Sequence, residues 1–379
     1  LIIIYYFLNK KIYINRNTKM LILIVSSYIV FGITDAVVNF IISENNILPI
    51  ISAIRFYKPM LFIVVGIILS QDKDFIKFFD INIVRATLTI SIILIISTFI
   101  DPRFPTLLWG ETLFNLEVYG FPNSSMSFFA FIALFLLSKY FHSKNIFYLF
   151  IYFLLSMNIV FSLSRSSTIV LFLGSILLLS FYMKKIKIFF SLCAFLAIII
   201  LIISLLKDNP KVSPVIELVS DRIQRTLGNT ENEASSGRFE IWEESISIIA
   251  DRPLTGYGFE SFSNFSIEYD TPHQQYLEVI HKTGLIGFLM YSLIIFYMLF
   301  HLYRKQKRLN YNDSLYITTV VLISGIISLS IGNITQPNFS YSIIGNLIFF
   351  IFGIILVNEN KIKTDKKENE KFETIITRS

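Results

Sequence analysis

The chain of 379 residues has one cysteine, four histidines and few charges. The single thiol, Cys193, lies inside an apolar run, which excludes an intrachain disulfide and any site built on paired cysteines. Charged residues make up 16% of the chain, where a soluble domain would carry about 25%. They are bunched between long apolar stretches. There is no G-x-x-x-x-G-K loop to cradle phosphates and no H-E-x-x-H pair to hold zinc. The acidic run Asp72-Lys73-Asp74 mimics a metal motif but sits in a short charged loop and reads as solvated surface, so neither metal nor cofactor is implied. Ionisable groups inside the apolar runs are scarce. Asp35, with Asn39 one turn along, is the exception, and it is open to two readings: a polar contact between helices or a functional carboxylate. The scarcity of further buried charges, and of spans broken by Gly or Pro, counts against ion-coupled transport.

What is present is apolar: 54% hydrophobic residues, 38 Phe and 19 Tyr, with a mean hydropathy of +0.64. A membrane helix needs roughly 20 apolar residues. Candidate spans are 20–42, 54–70, 84–100, 121–138, 146–162, 168–183, 188–206, 284–302, 314–332 and 341–357. The expected fold is an all-α polytopic membrane protein with about 10–12 transmembrane helices in total. Residues 1–8 are too short to span, and the chain begins with Leu, so either an unusual start codon or a preceding stretch that completes one or two more helices is expected. Apolar residues come before basic ones there, the wrong order for a signal peptide.

The net charge of +6 lies largely in short loops, where Lys and Arg set topology rather than bind nucleic acid. The loops 9–19, 71–85, 139–145, 184–187, 303–313 and the tail 358–379 hold 22 of the 33 basic residues. Strict alternation then puts the C-terminal tail in the cytoplasm and the segment 207–283 outside it. The expected organisation is an N-terminal membrane part (1–206), an extracytoplasmic loop (207–283), a C-terminal membrane part (284–357) and a charged tail (358–379) without stable structure.

The 207–283 segment is too long for a connector and carries helical patterning. Residues 215–227 read as an amphipathic helix lying on the membrane surface. Residues 237–250 put Phe239, Trp242, Ile246 and Ile249 on one stripe, with Ser235 or Ser236 placed to cap the start. Arg238 falls in the first turn. A helix start with a guanidinium is suited to an anion, and a solvated Arg at a helix end is the plainer reading. In TPHQQYLEVIHK, Thr271 reads as N-cap, Pro272 as first helical residue and Gln274 as the capping-box partner. That spacing puts His273 in the first turn, where the helix dipole lowers its pKa and leaves a neutral imidazole able to take a proton. An ordinary polar first-turn residue is the other reading. His281 reads as an interfacial polar residue. Arg165, in a short turn between two spans, is either a snorkelling cation or a fork for a phosphate.

Gly237-Arg238, Trp242, Asp251-Arg252-Pro253-Leu254-Thr255-Gly256-Tyr257-Gly258, His273, Tyr276-Leu277-Glu278 and Gly284-Leu285-Ile286-Gly287 occur in that order, with Ser164-Arg165 upstream. This series resembles the conserved region of the O-antigen ligase and polymerase superfamily: G-R, W, P-L-x-G-x-G, H-N-x-Y-L and G-x-x-G, with an S-R turn. The chain departs from it at Gln274, where the family usually has Asn.

The resemblance implies a GT-C-like membrane glycosyltransferase of the bacterial cytoplasmic membrane. It would be inverting and metal-independent and use a glycan on undecaprenyl diphosphate. It implies that Arg165 and Arg238 hold the diphosphate, that His273 is the base, and that Trp242, Gln274 and Tyr276 support them. The implied partners are lipid-linked donor and acceptor, membrane lipid and a chain-length regulator protein. A polymerase of O-antigen or capsule repeats is the leading expectation. A ligase acting on lipid A core is the first alternative, and a flippase or other transporter, or a non-catalytic binding protein, the rivals of another class.

Overall fold

The computed structural model describes residues 16–42, 47–70, 73–100, 112–113, 116–117, 122–162, 164–184, 237–266, 268–311, 313–340 and 343–356, with single residues at 187, 201, 204 and 220. The described helices are α1 (Arg16–Ile42), α2 (Leu48–Leu69), α3 (Lys73–Ile100), α4 (Pro122–Ser143), α5 (Ile146–Phe161), α6 (Arg165–Tyr182), α7 (Arg238–Asp251), α8 (Gln275–Gln306) and α9 (Ser314–Gly332), followed by α10 (Ile343–Leu356). A two-residue antiparallel pair, β1 (Thr112–Leu113) and β2 (Leu116–Glu117), is the only strand pairing among the described residues.

Among the described residues, six helices are long and apolar enough to cross a membrane, and three shorter apolar ones lie at 81–94, 146–160 and 343–356. The architecture is that of a polytopic helical membrane protein. Each expected span except one coincides with a described helix. The expected span 188–206 and the surface helix 215–227 lie outside the described residues, apart from isolated positions. Five helices start earlier than their apolar runs, α1 and α6 by a few residues and three others by six or more. Helix α2 begins at Leu48 with Pro49 in its first turn, α3 begins at Lys73, and α8 begins at Gln275. Polar first turns do not break a helix whose later turns are buried.

Helix α6 packs between α4 and α9, α4 also meets α5, and α3 lies on α4 and α5. A second group forms where α1 packs on α2 and α8, with α8 joined to α9. Helix α10 crosses α2 at a close backbone approach: Gly353 sits against Ile63 O, and Gly66 against Phe350 O. Small residues at a helix crossing let dispersion and packing act where lipid removes the hydrophobic drive. At the foot of α8 the buried Lys305 donates from Nζ to Ile355 O, a cation on the terminal carbonyls of α10. Leu23, Ile41, Phe78, Leu289 and Phe296 remain exposed on the outside, which suits a bundle solvated by lipid.

Near the C-terminal ends of α4 and α6, an aromatic cluster closes one end of the bundle. Tyr182 stacks on Phe141 at 5.1 Å and meets Tyr311 and Tyr316 edge-on. The opposite end, where α6 starts and α9 stops, is polar and holds the candidate site.

Candidate active site

Two helices at this end begin with an arginine. Ser164 is the N-cap of α6, its Oγ accepting from Ser167 N, so Arg165 is the first helical residue. Gly237 is the N-cap of α7 with φ +76°, and Arg238 is the first helical residue there. The expected caps Ser235 and Ser236 lie outside the described residues. A Cβ at Gly237 would meet open space. The glycine is needed for its backbone conformation alone, which turns the chain directly into the helix.

A third helix starts beside them, but not as the spacing predicts. Helix α8 begins at Gln275 with Gln274 as N-cap in an extended conformation and no side-chain capping bond. Thr271 and Pro272 therefore lie before the helix, and the capping box does not form. His273 precedes the N-cap and has φ +50°, with its N–H donating to Thr271 Oγ1 at 3.4 Å. The competing interaction is visible: Gln275 N donates to Asn333 O at 3.0 Å, and the Gln275 amide bonds Ser340 through both its atoms. Tertiary contacts satisfy the first turn, so the local box is not needed. Left-handed backbone in a non-glycine residue costs about 1–3 kcal/mol and persists where surroundings fix it.

The hub that these starts share is the turn 332–340, GNITQPNFS, after α9. Arg238 donates from Nη1 to Thr335 O. Ser166, next to Arg165, donates to Gly332 O at 3.3 Å and accepts from Asn338 Nδ2 at 3.1 Å. Asn338 N donates to Asn333 Oδ1, and Tyr276 OH donates to Ser330 O. One Asn/Gln/Ser-rich turn thus gathers the starts of α6, α7 and α8. The sequence reading did not single it out. Its signal was there: three amides and a proline within a stretch that should be a plain turn between two spans.

His273 is solvent-exposed at its surface, yet enough protein surrounds it that its pKa is lowered from the ordinary 6.5. Desolvation is the first cause and the Arg238 charge the second, while Glu278 and Asp270 oppose them. The direction agrees with the expectation from sequence, but its causes are burial and the Arg238 charge rather than the helix dipole. Its dependence on Arg238 also puts the two side chains within electrostatic reach of each other.

The P-L-T-G-Y-G segment has a different task. Helix α8 is kinked at Gly284 (φ +61°, ψ −171°), which frees backbone groups on both sides. Residues 253–258 satisfy them: Tyr257 N donates to His281 O at 2.8 Å and Gly258 N to Lys282 O at 3.0 Å, while Leu285 N and Ile286 N donate to Pro253 O and Leu254 O. The approach is close enough that a Cβ on Gly284 would lie 2.1 Å from Leu254 O. The other side of this clamp rests on α1. Asn39 Nδ2 donates to Tyr257 O at 2.6 Å, and a Cβ on Gly258 would lie 1.9 Å from Asn39 Nδ2 and 3.0 Å from Asp35 Oδ2. The Asp35/Asn39 pair is thus a docking contact for the loop. Tyr257 OH reaches Ile248 O at 2.9 Å and ties α7 to the same clamp.

Two further expectations change. The stripe on α7 is split: Ile241 and Ser245 are buried, Phe239 and Ile246 are exposed, and Trp242 packs edge-on against Phe239 at 5.4 Å. Contact with α8 selects the neighbouring face. His281 is not interfacial but fully buried, stacked on Tyr257 at 5.1 Å and ringed by Phe262 and Phe265. Among the described residues no three His, Cys, Asp or Glu side chains gather to hold a metal ion.

Residues 149–292 match the family model described as O-antigen ligase. The matched stretch includes Arg165, Arg238 and His273 and stops before the 332–340 turn. An uncharacterized protein of Haemophilus influenzae is 27% identical over 146 residues, 35% of this chain and 35% of that protein. The chain therefore aligns with about a third of that relative's length.

Proposed function

From a chain whose residues 149–292 place it with the O-antigen ligase/polymerase superfamily, we propose a membrane glycosyltransferase that joins lipid-diphosphate-linked oligosaccharide repeats. The observation that carries this reading is the meeting of three helix starts, two of them led by Arg165 and Arg238, on one turn beside His273. Helix starts favour anions through the positive end of their dipoles, and guanidiniums suit diphosphate oxygens. His273, neutral at ordinary pH by its lowered pKa, takes the proton of an acceptor hydroxyl. That oxygen attacks the anomeric carbon of the donor. The glycosidic C–O bond breaks, and its electron pair leaves on the lipid diphosphate, whose developing charge the two guanidiniums stabilise. One displacement inverts the anomeric centre, and no step is routed through a metal.

Phe239, exposed beside Arg238 with the half-buried Trp242 packed against it, offers an apolar edge to the lipid of an undecaprenyl diphosphate. Gln274 and Tyr276 fix the start of α8 and so the position of His273. In this reading the 207–283 segment faces away from the cytoplasm, where finished lipid-linked glycans are presented.

The family's own description favours a second reading, a ligase that moves a glycan to another acceptor. Binding of a soluble isoprenyl diphosphate, farnesyl diphosphate, to the protein in lipid discs tests the anion site common to both. Arg165→Gln and Arg238→Gln should each weaken it about tenfold or more, the loss of one charge-assisted hydrogen bond of about 1.5–3 kcal/mol. Wild-type affinity in both variants would remove the diphosphate role. A transporter would instead keep its transport in His273→Ala.

A further inference from the structure

The first turns of α8 present two faces. Gln275, Tyr276 and Val279 turn to the 332–340 hub and the bundle. Glu278, His281 and Lys282, at spacings of three and one, line a cavity of about 380 Å³. Its other walls are the start of α2 from Leu48 to Arg55, the turn from Phe259 to Asn264, and Asp270-Thr271-Pro272. Cavities of roughly this size and larger hold small ligands. His273 does not line the cavity but follows Pro272 of its wall directly in the chain, and the cavity lies on a different face of α8 from the hub.

Its chemistry is mixed. Lys282 is paired with Glu278, which leaves Arg55, Glu260 and Asp270 as the charged groups not engaged in that pair. Ser52, Ser261 and Asn264 add neutral donors and acceptors, and Leu48 and Ile51 add apolar surface. Carboxylates accept from hydroxyls, a guanidinium donates to them, and apolar side chains suit the carbon face of a sugar. Glu260 and Asp270 together disfavour an anionic guest. This set does not resemble the cationic, amide-rich hub.

We propose that this cavity is the acceptor subsite and takes an uncharged or amino-substituted sugar, with Arg55 and Asp270 as its main hydrogen-bonding groups. The proposal rests on the glycosyltransferase reading for the word acceptor and on the cavity for the sugar. It divides the site: diphosphate on the hub side of α8, acceptor hydroxyl on the cavity side, His273 between them.

A labelling experiment separates the two. In a Cys193→Ser background, Ser52→Cys and, separately, Ser261→Cys report on the cavity through their rate of reaction with a water-soluble maleimide, in full-length protein in lipid discs. The probe is the repeat-unit oligosaccharide freed by mild acid from the host's own lipid-linked pool. It should slow labelling of both reporters about tenfold at saturation. Arg55→Gln or Asp270→Asn should each raise the half-protecting concentration about tenfold, and a digalacturonic acid control should not protect. Unchanged labelling at every oligosaccharide concentration would overturn the proposal. So would protection that both substitutions leave intact, protection by digalacturonic acid as strong as by the repeat unit, or reporters that never react. Protection in a protein that transfers no sugar would discard the enzyme reading and keep the sugar site. Transfer without protection would do the reverse.

Discussion

Replacing Gly284 by alanine should undo the clamp that joins the long loop to α8. The new Cβ would lie 2.1 Å from Leu254 O and 2.5 Å from Thr255 N. Both are backbone atoms, so no rotamer change relieves the contact, and residues 253–258 must move away. Four backbone hydrogen bonds cross that junction. At about 1 kcal/mol each their loss comes to about 4 kcal/mol, to which alanine held at φ +61°, ψ −171°, a region essentially confined to glycine, adds about 1–3 kcal/mol. Native-state hydrogen exchange in lipid discs reads this directly, since every 1.4 kcal/mol is a factor of ten. The amides of Tyr257, Gly258, Leu285 and Ile286 should exchange up to about 10⁴-fold faster in Gly284→Ala. Gly237→Ala is the internal comparison. Its φ is also left-handed, but its Cβ would meet nothing within 4 Å, so the same amides should change far less. If Gly284→Ala keeps its protection at those four amides within about tenfold of wild type, the clamp does not hold the loop as described.

Three other outcomes follow from the same geometry. Arg238→Lys keeps the positive charge near His273 but gives up the fork that also holds Thr335 O, so transfer should fall about 10²-fold while the acid limb of the pH profile stays in place. Arg238→Gln removes a charge that lowers the His273 pKa; the base is active when unprotonated, so the acid limb should move to higher pH, and an unmoved limb would separate His273 from Arg238. Asn39→Ala leaves Tyr257 O without its donor and should cost about 1–3 kcal/mol, read as faster exchange at Tyr257 and Gly258 with little change at Gln275.

The spans were legible because apolar length is a local property, and so was the order of motifs along the long loop. The start of α8 was not. Thr271, Pro272 and Gln274 fit a capping box by spacing, but Asn333 O lies 58 residues away in sequence and takes the Gln275 N–H instead. For the same reason the 332–340 turn stayed hidden: its polar groups gain meaning only when α9 delivers them to the starts of α6, α7 and α8. His281 reads as a polar residue near a membrane until Tyr257, Phe262 and Phe265 close round it. The glycines of P-L-T-G-Y-G and G-L-I-G were visible as a pattern, and their partnership at one kink in α8 was not.

The central claim is that this chain transfers a lipid-linked glycan with His273 as base. The most direct measurement incubates the purified protein, in lipid discs with chelator, with one lipid-linked repeat unit and then with candidate acceptors, beside a His273→Ala control. The account predicts product in the wild type, a ladder of repeats for a polymerase or a single transfer to an added acceptor for a ligase. In the control it predicts product formation lower by about 10²–10⁴-fold. Product formed equally well by His273→Ala, or no glycosyl transfer to any acceptor by protein that still binds the lipid-linked unit, would contradict it.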